Sequence, residues 1–171
     1  MSKFRFAQGL KVQPVLSPVD TGATAQVSSF VDMDLAHWLT FVVSFGNMTS
    51  DDSDVVAILV RCSSEDTSAT TEPLAIPFWY RVTSATATDS TTDIVAGTSD
   101  GIGTSDDGIN AANLDNKILI IDVDPAVVGA YTGGQQRWVS LAIAPTGPIT
   151  IDAALAVVET RYPGANIPSS T

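Results

Sequence analysis

At 171 residues the chain is long enough to bury one apolar core, and an apolar content of 44% excludes general disorder. Charged residues make up 16%, against about 25% in an ordinary globular protein, so 36 Ser and Thr residues supply much of the polar surface. The net charge of −11 divides into +3 over residues 1–19 and −14 over the rest, which argues against binding to nucleic acid or to an anionic membrane, since both need clustered Lys and Arg.

The first residues, Met1-Ser-Lys-Phe-Arg-Phe6, contain no apolar h-region. Synthesis and initial folding in the cytoplasm, without a Sec-type leader, are therefore expected. Residues 1–19 form a basic arm with Lys3, Arg5 and Lys11 and no acid. An extended Lys3-Phe-Arg-Phe6 puts two cations on one side and Phe4 and Phe6 on the other. Such a segment is suited to adding as a strand to a neighbour's sheet edge. The plainer alternatives are an ordinary first strand or a frayed terminus.

Residues 20–163 read as a β-sandwich domain. Short candidates at Val12–Leu16 and Gln26–Val31 lead into His37–Phe45, where Leu39, Phe41, Val43 and Phe45 share one face and Trp38, Thr40, Val42 and Ser44 the other. Asp54–Cys62 repeats the pattern with Val56, Ile58, Val60 and Cys62. Ile76–Ser84 places Ile76, Phe78, Tyr80 and Val82 opposite Trp79, Arg81 and Thr83. Thr92–Ala96 is a short candidate. Lys117–Val123 is nearly all apolar and reads as a central strand. Arg137–Ile143 sets Val139, Leu141 and Ile143 against Trp138, Ser140 and Ala142. Ile149–Tyr162 fits a strand, with Ile151, Ala153, Leu155 and Val157 on one face, or an Ala-rich helix; β-branched flanks and Pro163 favour the strand. Residues 164–171 form a tail.

The longest connection, Gly97–Asn116, contains Gly97-Thr-Ser-Asp-Gly-Ile102 followed by Gly103-Thr-Ser-Asp-Asp-Gly-Ile109. This near-tandem repeat fits neither an EF-hand nor a dinucleotide fingerprint and reads as a flexible or partner-contact loop. About eight strands separated by Ser, Thr, Asp and Gly predict an all-β, antiparallel two-sheet sandwich of jelly-roll type with an extended N-terminal arm.

The residues offer little chemistry. One histidine, His37, and one cysteine, Cys62, leave no intrachain disulfide, no zinc ligand set and no supported catalytic triad. The chain reads as a non-enzyme without a metal or cofactor. Asp32 with Asp34, and Asp122 with Asp124, are carboxylate pairs on single strand faces. Each marks a strand leaving the core, binds Ca²⁺, or takes part in acid–base chemistry.

The tryptophans are more informative. Trp38, Trp79 and Trp138 each lie opposite their strand's main apolar set, beside Thr40, Arg81 and Ser140. Three things would cover them: a subunit interface, a carbohydrate, or the chain's own loops and arm. Phe4, Arg5, Phe6, Trp38, Trp79 and Trp138 are accordingly the candidate partner-interface residues.

The Val31-Asp-Met-Asp34 lead into His37–Phe45, the Ile76-Pro-Phe-Trp-Tyr-Arg81 block, the Asp122-Val-Asp-Pro125 turn and the closing Arg161-Tyr-Pro163 complete this picture. In overall style, residues 20–163 resemble the decoration, cement or minor capsid proteins of tailed bacteriophages. That resemblance implies a jelly roll on the outside of a capsid lattice, bound to the major capsid protein and to itself, with a trimer favoured over a dimer. It implies residence in the virion and carries no catalytic or binding residue across. The alternative function is a carbohydrate-binding sandwich of a phage or bacterial surface protein, with a glycosidase third.

Overall fold

A computed structural model of the chain describes residues 10–34, 36–48, 53–66, 74–84, 95–96, 108–131 and 137–160. These form two antiparallel sheets. The first sheet runs in the order β1 (Leu10–Leu16), β13 (Thr150–Thr160), β5 (Ala36–Phe45), β11 (Lys117–Val123), β8 (Trp79–Ser84) and β9 (Val95–Ala96), with β2 (Val19–Asp20) also on β13. The second runs β10 (Ile109–Asn110), β6 (Val55–Ser63), β12 (Trp138–Pro145) and β3 (Gln26–Val27). There β4 (Val31–Asp32) shares β12 with β3, and β7 (Leu74–Ile76) shares β6 with β10.

This order is that of a jelly roll. Taking β1/β2 and β3/β4 as single interrupted strands, and β7 with β10 as another, leaves eight positions in chain order. One sheet then holds positions 1-8-3-6 and the other 2-7-4-5, the arrangement of two interlocked Greek keys. The hairpin of β8 and β9 is an excursion from the fifth position that widens the first sheet beyond β11.

Alternation along the strands supplies the core. Leu39, Phe41 and Val43 of β5, Val56, Ile58, Val60 and Cys62 of β6, Leu119, Ile121 and Val123 of β11, and Val139, Leu141 and Ile143 of β12 are all fully buried between the sheets. Each large aliphatic side chain removed from water in this way stabilises the fold by about 1.5–3 kcal/mol before chain entropy is counted. The expected central strand is central: β11 pairs with β5 on one side and β8 on the other.

Five expectations need adjustment. Residues 10–19 fall in the basic arm by charge, yet Leu10–Leu16, around the expected short strand Val12–Leu16, forms β1 and Val19 opens β2 at the edge of the first sheet. Pro14 lies there, at the outermost position where a missing N–H breaks no ladder. The expected strand Ile76–Ser84 is two strands. Ile76 pairs with Val60 in the second sheet, and beyond Pro77 the chain crosses so that Tyr80 pairs with Ile121 in the first. Gln26–Val31 is likewise divided between β3 and β4.

Within the expected strand Ile149–Tyr162, Thr150–Thr160 does form one, the last two residues lying outside the described ones, but its faces are out of phase with the expectation. The register slips between Ile151 and Ala153, a one-residue bulge. Beyond it Ala154, Ala156 and Val158 point into the core, and Leu155 and Val157 point outward. Finally, Pro125 does not simply end a strand. It opens a short helix, α1 (Pro125–Tyr131), in which the Asp124 carboxylate accepts from the Ala126 N–H at 2.8 Å. Val128 anchors this helix in the core, where it packs against β5 and β7.

Candidate assembly interface

Residues paired across antiparallel strands share a face, so the registers define what the first sheet presents outward. One row reads Arg81, Ile120, Val42, Leu155, Pro14 across β8, β11, β5, β13 and β1. The next reads Trp79, Asp122, Thr40, Val157, Val12. Beyond them Trp38, Glu159 and Leu10 make a shorter row, and on the other side Ile118 pairs with Ser44. Apolar side chains thus run unbroken from Ile120 to Pro14 on a face opposite the core. Val12 and Trp79 are 45% and 48% exposed, and Val42, Ile118, Ile120, Leu155 and Val157 are half-buried.

Two of the three tryptophans meet on this face, on either side of one carboxylate. Asp122 accepts a hydrogen bond from Thr40 Oγ1 at 2.5 Å and from Trp38 Nε1 at 3.3 Å, and Trp79 lies opposite Asp122 on β8. Arg81, diagonal to Asp122, makes no ion pair among the described residues, and its Nε is shut from water without an acceptor.

The structure separates Trp138 from that pair. It lies on the outward face of the second sheet, opposite Asp32 and Ser63. Its ring carries the Arg137 guanidinium at 5.3 Å from the centroid. The same Arg137 donates to Asp32 at 2.9 Å, and Asp32 also accepts from the Asp34 backbone N–H at 3.0 Å. The chain itself therefore partly covers Trp138. Phe4, Arg5 and Phe6 lie outside the described residues, as does the repeat from Gly97 to Asp107.

The carboxylate pairs are engaged locally. Asp32 is buried and ion-paired, Asp34 is exposed with Arg137 Nη1 at 3.9 Å, Asp122 holds Thr40 and Trp38, and Asp124 caps α1. Among the described residues no three His, Cys, Asp or Glu side chains gather where they would hold a metal ion. His37 is exposed where the register of β5 against β13 shifts, whereas Cys62 lies in the core. Burial pushes the Cys62 thiol up to about 11, which suppresses the nucleophilic thiolate at neutral pH. On β1, burial lowers the Lys11 pKa, and the nearby Asp32 charge opposes that shift.

Sequence reasoning found the two tryptophans but missed the apolar rows between them. Ile118 and Ile120 pass for the second buried face of a central strand, and the bulge conceals Leu155 and Val157. The signal was nonetheless present, because apolar residues at nearly every position of β11 are characteristic of a sheet covered on both sides. No family model, no curated protein and no solved structure matches the chain.

Proposed function

We propose that this chain is a non-enzymatic virion structural protein that attaches to the outer surface of a tailed-phage capsid lattice and stabilises it. The observation that carries the reading is the apolar outer face of the first sheet, from Ile120 through Val42 and Leu155 to Val12, flanked by Trp38 and Trp79. Its rows are spaced by about 7 Å and its strands by about 4.8 Å, giving a patch roughly 20 Å on a side. Contiguous apolar surface of this kind marks interaction sites more often than solvent-facing surface. Modest contacts repeated over a lattice become strong through multivalency. The arm residues Phe4, Arg5 and Phe6 supply a second contact, with Arg5 one of the few cations of an acidic chain.

Co-sedimentation with shells assembled from the major capsid protein encoded nearest to its gene tests this. Saturable binding at a fixed ratio to the shell subunit supports the reading, and no binding to intact, expanded shells refutes it. Exposed Trp79 beside Asp122 favours a glycan as the second reading, because aromatic rings next to carboxylates suit sugar faces and hydroxyls. Quenching of tryptophan emission by a glycan set, together with failure to bind shells, would put that reading first.

A further inference from the structure

We propose that the outer face of the first sheet pairs with the same face of a second copy about a two-fold axis, Arg81 of each copy meeting Asp122 and Trp79 of the other. This deepens the assembly reading by naming a second copy as the occupant of that face, which leaves the shell contact to the Phe4–Phe6 arms of the dimer, and it rests on the face being adhesive.

Charge is the first argument. A chain with net charge −11 repels its own copies, so self-association needs a cation placed where the copies touch. Among the described residues Arg81 is the only cation on this face; it makes no ion pair with any of them, and its buried Nε has no acceptor. The acceptor it lacks is one row away. Asp122 is already oriented by Thr40 and Trp38, and Trp79 offers an exposed ring for a guanidinium to lie on.

Symmetry is the second. An isologous interface requires that residue i meet residue j while j meets i. A two-fold axis running across the strands between the two central rows satisfies this. It lays the Arg81-Ile120-Val42-Leu155 row of one copy over the Trp79-Asp122-Thr40-Val157 row of the other. Arg81 then falls on Trp79, one strand away from Asp122, while Ile120 falls on Asp122 and Leu155 on Val157. Face-to-face sheets pack about 10 Å apart, within reach of an arginine and a carboxylate extending from opposite sides. Size is the third. A patch roughly 20 Å on a side covers about 400 Å² in plan, about half of the ~800 Å² per partner of a specific contact before side-chain relief is added, which suits a weak dimer.

The test is the mass of the full chain by sedimentation equilibrium at concentrations up to about 100 µM. A dimer is expected. Arg81→Glu, and separately Val42→Lys, should weaken it at least tenfold while thermal melting followed by circular dichroism stays close to wild type. Arg81→Glu combined with Asp122→Arg should recover most of the lost affinity. A monomer, a trimer, or a dimer indifferent to Arg81→Glu and Val42→Lys overturns the proposal. A double variant no tighter than Arg81→Glu alone overturns the Arg81–Asp122 contact. Dimers that ignore shells would sink the capsid reading alone, and shell binding by a monomeric chain would sink this one alone.

Discussion

Arg137 and Asp32 are joined by a 2.9 Å ion pair that also fixes how Trp138 is covered. Asp32 is only 3% exposed, and the guanidinium that neutralises it lies on the indole ring. Arg137→Ala therefore strands a buried carboxylate and uncovers the ring. Because the Arg137 side chain is half in water, the loss should be about 1–2 kcal/mol, below the about 3–5 of a fully enclosed pair. Urea denaturation measures it. Asp32→Asn combined with Arg137→Met should recover part of the loss, because no uncompensated charge remains.

Gly108 brings the chain against β6. A Cβ there would stand 2.7 Å from the Val56 carbonyl oxygen and 2.9 Å from the Ala57 nitrogen, and neither backbone atom can swing aside. Gly108→Ala should cost about 1–3 kcal/mol as an overpacking change. Gly129→Ala on α1, where no heavy atom lies within 4 Å, serves as the control and should be neutral or slightly stabilising.

Cys62 should behave as a core hydrophobe. Its thiol should resist an aromatic disulfide reagent in the native protein and react at once in denaturant. The sign of its pH dependence follows from its raised pKa. The folded state keeps the proton longer than the unfolded state, so its contribution is full below about 9 and is lost as pH rises towards about 11. The stability advantage of wild type over Cys62→Ala should narrow across that window. An advantage that widens there would contradict the assignment.

The arm can be separated from the fold. Removal of residues 2–9 leaves every described strand whole, whereas a deletion reaching Lys11 would cut into β1. The shorter deletion should leave thermal melting within a few degrees of wild type and weaken attachment to shells. Unchanged attachment would remove Phe4, Arg5 and Phe6 from the proposed contact.

Much of the sandwich was legible because the period of a strand is two. The inward sets of β5, β6 and β12 could be written down from alternation alone, and all are buried. What stayed hidden arose where local backbone geometry changes that period or its direction. The bulge near Asp152 inverts the faces of β13, Pro77 sends one apparent strand into two sheets, and Asp124-Pro125 starts a helix directly where β11 ends. The last was readable, since Asp before Pro is a helix-opening pair. The bulge was not, because nothing in Ile151-Asp-Ala-Ala154 marks which residue the partner strand skips. As a result the candidate face was half visible. The tryptophans announced it, and only the registers joined Ile120, Val42 and Leu155 between them.

A lattice-bound protein of this kind strengthens the shell it covers. Calorimetric melting of expanded capsids, alone and saturated with the purified chain, measures that directly. A melting transition raised by several degrees, with the rise lost when residues 2–9 are removed or Val42→Lys is introduced, is the predicted result. Shells that melt at the same temperature with and without saturating protein would contradict it.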